Sequence, residues 1–148
     1  MNKEKTIFTS IFAVISSWLG VLAIPAIVLV LCNLIDYSTG LVASPFRNQT
    51  INSYKSIRGI AKKVCMWLLI IVGALLDWLL IGTSASIGIA LPFTYLISII
   101  VTVWLIANEI ISILENMVDI GVSIPPFLMP LVKNIKRQVE DKAKIKEE

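Results

Sequence analysis

Thirty consecutive residues, Thr6 to Ile35, carry no charge, and the 45 from Val64 to Asn108 carry one, Asp77. About 20 apolar residues cross a hydrocarbon core, and a soluble domain does not need uncharged runs of this length. The composition agrees. Of 148 residues 57% are apolar and 16% are charged, with a mean hydropathy of +0.86, whereas a soluble chain is about 25% charged. A soluble enzyme is excluded, and the chain is expected to be an all-α integral membrane protein.

Other chemistries fall away for want of residues. There is no histidine, so imidazole bases and imidazole metal ligands are absent. Cys32 and Cys65 stand alone in or beside apolar runs, which suits small hydrophobes in membrane helices and makes neither a zinc site nor a disulfide framework. No phosphate-binding, dinucleotide-binding or serine-nucleophile glycine motif occurs. No catalytic residue, metal, cofactor or nucleic-acid partner is expected. Asn48-Gln49-Thr50 matches the glycosylation pattern, a tripeptide often met by chance. The first apolar run is too long for a secretory h-region, so a cleavable signal peptide is not expected.

The first run would make a helix of about 45 Å, so a break is expected near Ser16-Ser17 or Gly20. Residues 1–18 read as a weakly amphipathic segment at the interface, with Ile7, Ile11, Val14, Ile15 and Trp18 on one face. Three spans follow, at about 19–42, 61–81 and 87–107, with Pro25 inside the first and Pro92 early in the third. The uncharged Gly82-Thr83-Ser84-Ala85-Ser86 is expected to turn between the second and third. From 108 to 122 the third span continues as an amphipathic extension, polar at Ser112, Glu115, Asn116 and Asp119, and ends at Gly121. Pro125-Pro126 enforces a break, and 123–148 forms a basic, solvated tail, helical from Phe127 and frayed from Lys136 on.

Charge sets the orientation. The loop between the first two spans holds Arg47, Lys55, Arg58, Lys62 and Lys63 without an acid, and six more cations follow Pro130. With three spans these eleven share one side, against Lys3 and Lys5 on the other. The positive-inside rule puts the N-terminus outside and the C-terminus in the cytoplasm. The basic loop also suits anionic headgroups, although a topology signal alone explains it.

Three acids sit where lipid does not want them: Asp36, Asp77 and Glu109. A carboxylate at a helix centre costs about 2.5–3.5 kcal/mol on insertion scales. Such groups line a pore, couple to protons, or bond polar groups on neighbouring helices or subunits. Asp36 and Glu109 are expected at similar depth and Asp77 far from both. Small-residue pairs such as Ser84-x3-Gly88 hint at self-association.

The residues carry a resemblance as well. Glu109-Ile110-Ile111-Ser112-Ile113-Leu114-Glu115-Asn116, then Gly121-Val122 and Pro125-Pro126-Phe127-Leu128, resembles the carboxyl-terminal signature of a holin family. That family includes phage lysis holins of Gram-positive hosts and clostridial toxin-secretion holins. Asp36-Tyr37-Ser38-Thr39-Gly40 and Gly59-Ile60-Ala61-Lys62-Lys63 resemble its two upstream motifs, and Asp77 fits its acid. The likeness covers about residues 20–132. Pro126 departs from it, standing where many members carry a basic residue. The resemblance implies a homo-oligomer of the bacterial cytoplasmic membrane. It would form lesions that release an endolysin, lysing the host cell, or a large toxin. A small proton-coupled transporter using Asp77 and a structural membrane scaffold are the alternatives.

Overall fold

The structure, a computed structural model, describes residues 3–47 and 53–144. The tripeptide Asn48–Thr50 and the last four residues of the tail lie outside the described residues. Five helices follow in order: α1 (Lys3–Leu19), α2 (Ala23–Ala43), α3 (Ser53–Ser86), α4 (Leu96–Ile120) and α5 (Leu128–Ala143). No strand occurs among the described residues. Three stretches are long and apolar enough to cross a membrane: Gly20–Ala43, Ile57–Ser86 and Leu96–Ile120.

Backbone chemistry fixes the boundaries. Gly20 adopts φ 53°, a left-handed conformation that glycine reaches without strain, and separates α1 from α2. The break expected at Gly20 is therefore present, and it changes the meaning of Pro25. Pro25 is the third residue of α2, where an N–H would have no intrahelical acceptor, so it starts a helix and kinks none.

The turn between α3 and α4 differs from expectation. Gly82–Ser86 is the last turn of α3, where the hydroxyls fold back on the helix: Ser84 Oγ donates to Ile81 O at 3.0 Å and Ser86 Oγ to Gly82 O at 2.9 Å. The end comes at Gly88, φ 75°, where Ile89 N donates to Ser84 O (2.8 Å) and Gly88 N to Ala85 O (3.2 Å), the paired bonds of a Schellman cap. Residues 87–95 then form the connection. Pro92 disfavours helix at the residue before it, so α4 begins nine residues later than the expected 87. The second helix is correspondingly longer than the expected 61–81, and the third runs unbroken from Leu96 through the expected extension. Gly121, φ 96°, ends α4 with the same pair of bonds, Val122 N to Met117 O and Gly121 N to Val118 O, both 2.9 Å.

Helix α4 is the hub. It packs against α2, α3 and α5, whereas α1 touches little beyond the start of α2. Leu22, Leu29, Met66, Ile70 and Leu105 form one buried cluster, and Ala107, Leu114 and Val132 a second beneath α5. Outward faces are apolar, with Leu68, Ile71, Leu75 and Trp78 exposed on α3 alone, as lipid-facing helices require. The tail departs from the expected solvated helix. It continues to Ala143 and folds back along α4, because Val132 and its neighbours bury an apolar stripe there.

Candidate functional site: a polar chain inside the bundle

Two polar centres occupy the bundle, at opposite ends. Near the α3–α4 connection, Asp77 is 2% exposed. Its Oδ1 accepts from Ile97 N at 2.8 Å, and its Oδ2 from Ser98 N (2.8 Å) and Ser98 Oγ (2.6 Å). These donors are the first turn of α4, which has no cap of its own, since Tyr95 bonds none of its amides through the side chain. Asp77 thus caps α4 from a neighbouring helix. Its negative charge faces the positive end of the α4 dipole, and the amides satisfy a carboxylate that lipid would not. Gly73 makes the approach possible. A Cβ there would lie 3.0 Å from Ser98 Cα and 3.2 Å from Ser98 N, so only glycine lets α3 close on α4 one turn before Asp77. Thr102 continues the buried polar strip by donating to Ser98 O at 2.6 Å.

The second centre joins α2, α3 and α4. The ammonium of Lys63 bridges Asp36 Oδ2 at 2.8 Å and Glu109 Oε2. Glu109 is 1% exposed, and a buried carboxylate persists only when paired and hydrogen-bonded. In the orientation that satisfies both of its neighbours, the Asn33 amide donates to Glu109 Oε2 at 2.9 Å and accepts from Trp67 Nε1 at 3.2 Å. On the far side, Asn116 Nδ2 donates to Asp36 Oδ1 and to Thr39 Oγ1, both at 3.1 Å, and Asn116 Oδ1 accepts from Arg47 Nη2 at 2.7 Å. Arg47 also pairs with Asp119. The result is one chain, Trp67–Asn33–Glu109–Lys63–Asp36–Asn116–Arg47–Asp119, running from within the bundle to its rim. Among the described residues no buried side-chain nitrogen or oxygen lacks a partner.

The sequence put Asp36 and Glu109 at similar depth with Asp77 apart, and in the structure the first two share Lys63 while Asp77 lies at the other end of the bundle. It did not place Lys63 between them. Of the other motif residues, Gly40 lies against Asn116, with room for a Cβ 3.6 Å from its amide nitrogen. Gly121 caps α4, and Pro125 O accepts from Leu128 N (3.0 Å) to start α5. Ser112 is half-buried, whereas Lys62 and Glu115 are exposed and Gly59 faces open space. Asn33, Trp67 and Gly73 were missed as parts of the site, and Arg47 was read only as a cation of the basic loop. Gly73-x3-Asp77 was the one legible signal among them, a glycine one turn before an acid in an apolar span. No three metal-ligating side chains converge among the described residues. Two carboxylates here close on an ammonium.

The family model for the bacteriophage holin family matches residues 13–137. The chain belongs to the bacteriophage holin family. It is a multi-pass membrane protein of holin type, and that is not a typical enzyme. An uncharacterized protein of Listeria monocytogenes is 36% identical over 97 residues, which is 66% of this chain and 61% of that one. The chain thus spans about three fifths of the length of the Listeria relatives it matches. An uncharacterized protein of Clostridium perfringens is 30% identical over 133 residues, 90% of this chain and 85% of that one. An uncharacterized 14.9 kDa protein in the nagH 3′ region of C. perfringens is 31% identical over 133 residues, covering 90% and 87%. No solved structure matches. The polar chain links motif residues from all three spans, Asp36, Lys63, Glu109 and Asn116.

Proposed function

We propose that this holin-family protein assembles as a homo-oligomer in a bacterial cytoplasmic membrane, N-terminus outside and C-terminus inside. There it opens lesions through which an endolysin or a large toxin escapes. The observation that carries the reading is the charged chain through Lys63 inside a bundle of family-motif helices. Ion pairs of this kind are satisfied within one copy, yet they line the contacts between helices. Separating or re-facing the helices in an assembly would turn carboxylates and ammonium toward water, which a lesion needs and lipid forbids. No substrate is turned over, and the released cargo passes without being bound. Of the cations expected in a basic loop, Arg58 and Lys62 are exposed near the start of α3 and suit anionic headgroups on the inner leaflet.

The transporter alternative rests on Asp77. Its two oxygens already accept three hydrogen bonds from the start of α4, so the carboxyl is engaged as a structural cap between two helices. Expression in bacteria tests the reading. Abrupt loss of membrane potential with release of a cytoplasmic enzyme is expected. Substrate-specific, potential-driven flux without leakage would favour the transporter, and neither effect would favour the scaffold.

A further inference from the structure

Helix α5 lies where its charge does not belong. It carries Lys133, Lys136, Arg137, Glu140, Asp141 and Lys142, with Lys144 just beyond. Yet Trp104 Nε1 donates to Glu140 Oε1 at 2.8 Å, and Lys136 Nζ sits 5.2 Å from the centre of the Trp104 ring. Trp104 is sixteen residues from the Ile120 end of α4, about 24 Å along the helix. It also lies about 7 Å beyond Glu109 on the way into the uncharged stretch. The charged turns of α5 therefore run beside helices that have no charge to offer them.

The seat itself is uneven. The near half is tight, with Val132 buried against Ala107 and Leu114. The far half lies over two open grooves. One of about 600 Å³ is lined by Ile99, Ile100, Val103 and Val139, and one of about 540 Å³ by Leu69, Ile100, Trp104 and Val139. Leu128, Val132, Ile135 and Val139 make an apolar stripe at helical spacing, opposite Lys133 and Arg137, while Lys136 lies over Trp104 and Lys142 and Lys144 border the grooves. Residues 121–127 join α5 to α4 without helix.

We propose that α5 is a displaceable membrane-surface helix whose basic face binds anionic phospholipid headgroups, and that its seat on α4 is the alternative it leaves. Released, it would lie in the interface plane with its apolar stripe in the acyl boundary and its cations on phosphate. Each cation near an anionic leaflet multiplies such partitioning about fivefold. The proposal goes beyond lesion formation and does not depend on it.

The full chain tests it, with Cys32→Ala and Cys65→Ala removing the native thiols and Val139→Cys carrying a bimane label that Trp104 quenches on contact. In phosphatidylcholine vesicles strong quenching is expected, lost when Trp104→Phe is added. In vesicles of equal phosphatidylcholine and phosphatidylglycerol the quenching should be relieved and then restored by high salt. Lys133→Gln with Arg137→Gln should lower the released-to-seated ratio about 25-fold. Both residues are exposed, so folding is not at stake, and Gln138→Cys at the rim gives an independent reporter. Quenching that ignores lipid charge, or is absent in neutral vesicles, or a charge-depleted variant that releases like the parent, would overturn the proposal.

Discussion

Both oxygens of Asp77 face the first turn of α4, so its substitution should be felt as the loss of a cap. Asp77→Asn keeps one acceptor and should lower stability by about 1 kcal/mol. Asp77→Leu leaves the Ile97 and Ser98 amides without a partner in an apolar setting and should cost about 2–3 kcal/mol. Unfolding in a titration of denaturing detergent against mild micelles reads the difference, and equal stability of Leu and Asp would refute the cap. The same residues predict that Gly73→Ala destabilises by about 1–3 kcal/mol, since its Cβ meets Ser98 backbone at 3.0 Å. Gly73→Val should do worse, while Gly59→Ala, in open space, should change nothing or stabilise slightly. Asp77 was legible in the sequence as a misplaced charge. Its partner was not, because a backbone amide leaves no trace in residue type.

Helix α4 gathers three neighbours, and its Glu109 depends on a lysine from α3. Removing Lys63 strands two carboxylates in the bundle, so Lys63→Gln should cost about 3–5 kcal/mol. Glu109→Gln leaves Lys63 paired with Asp36 and should cost less. The double variant should be more stable than the sum of the singles implies, a coupling measured by a double-mutant cycle in the same detergent titration. Strict additivity would mean that the two groups do not interact. Arg47 and Asp119, a third exposed, should couple by less than about 1 kcal/mol. Asp36, Lys63, Glu109 and Asn116 were each visible in the sequence as motif positions. Their joining into one chain through Lys63, and its extension from Glu109 through Asn33 to Trp67, was not, since an asparagine and a tryptophan in an apolar run read equally as helix packing.

At the scale of the whole molecule the eleven-to-two division of cations predicts topology. Cysteine introduced at Lys3 or within Thr83–Ser86 should react with an impermeant reagent from outside, and cysteine at Lys142 should not. Labelling of Lys142 in intact cells before any lysis would contradict three spans with an inner C-terminus. Assembly should show as a cross-linked ladder beyond the dimer in mild detergent, and a strictly monomeric chain that still permeabilises would remove the oligomer from the reading. In cells, the Asp77 variants should shift the time of lysis at equal protein level, with leucine shifting it more than asparagine.

Hydropathy determined the membrane class and the number of spans, because transfer of apolar surface is additive along the chain and needs no partner. Gly20 and Gly121 likewise marked their breaks, since left-handed backbone is a local property. Tertiary contact decided the rest. Where α4 begins depends on a carboxylate from α3 waiting there. The seat of α5 followed from an apolar stripe meeting α4, although its charge alone predicts water. Lys63 reads as a boundary cation from its neighbours in sequence. Only the packing of three helices turns it inward to hold Asp36 and Glu109 together, because ion pairing depends on distance in space and the chain order carries none of that distance.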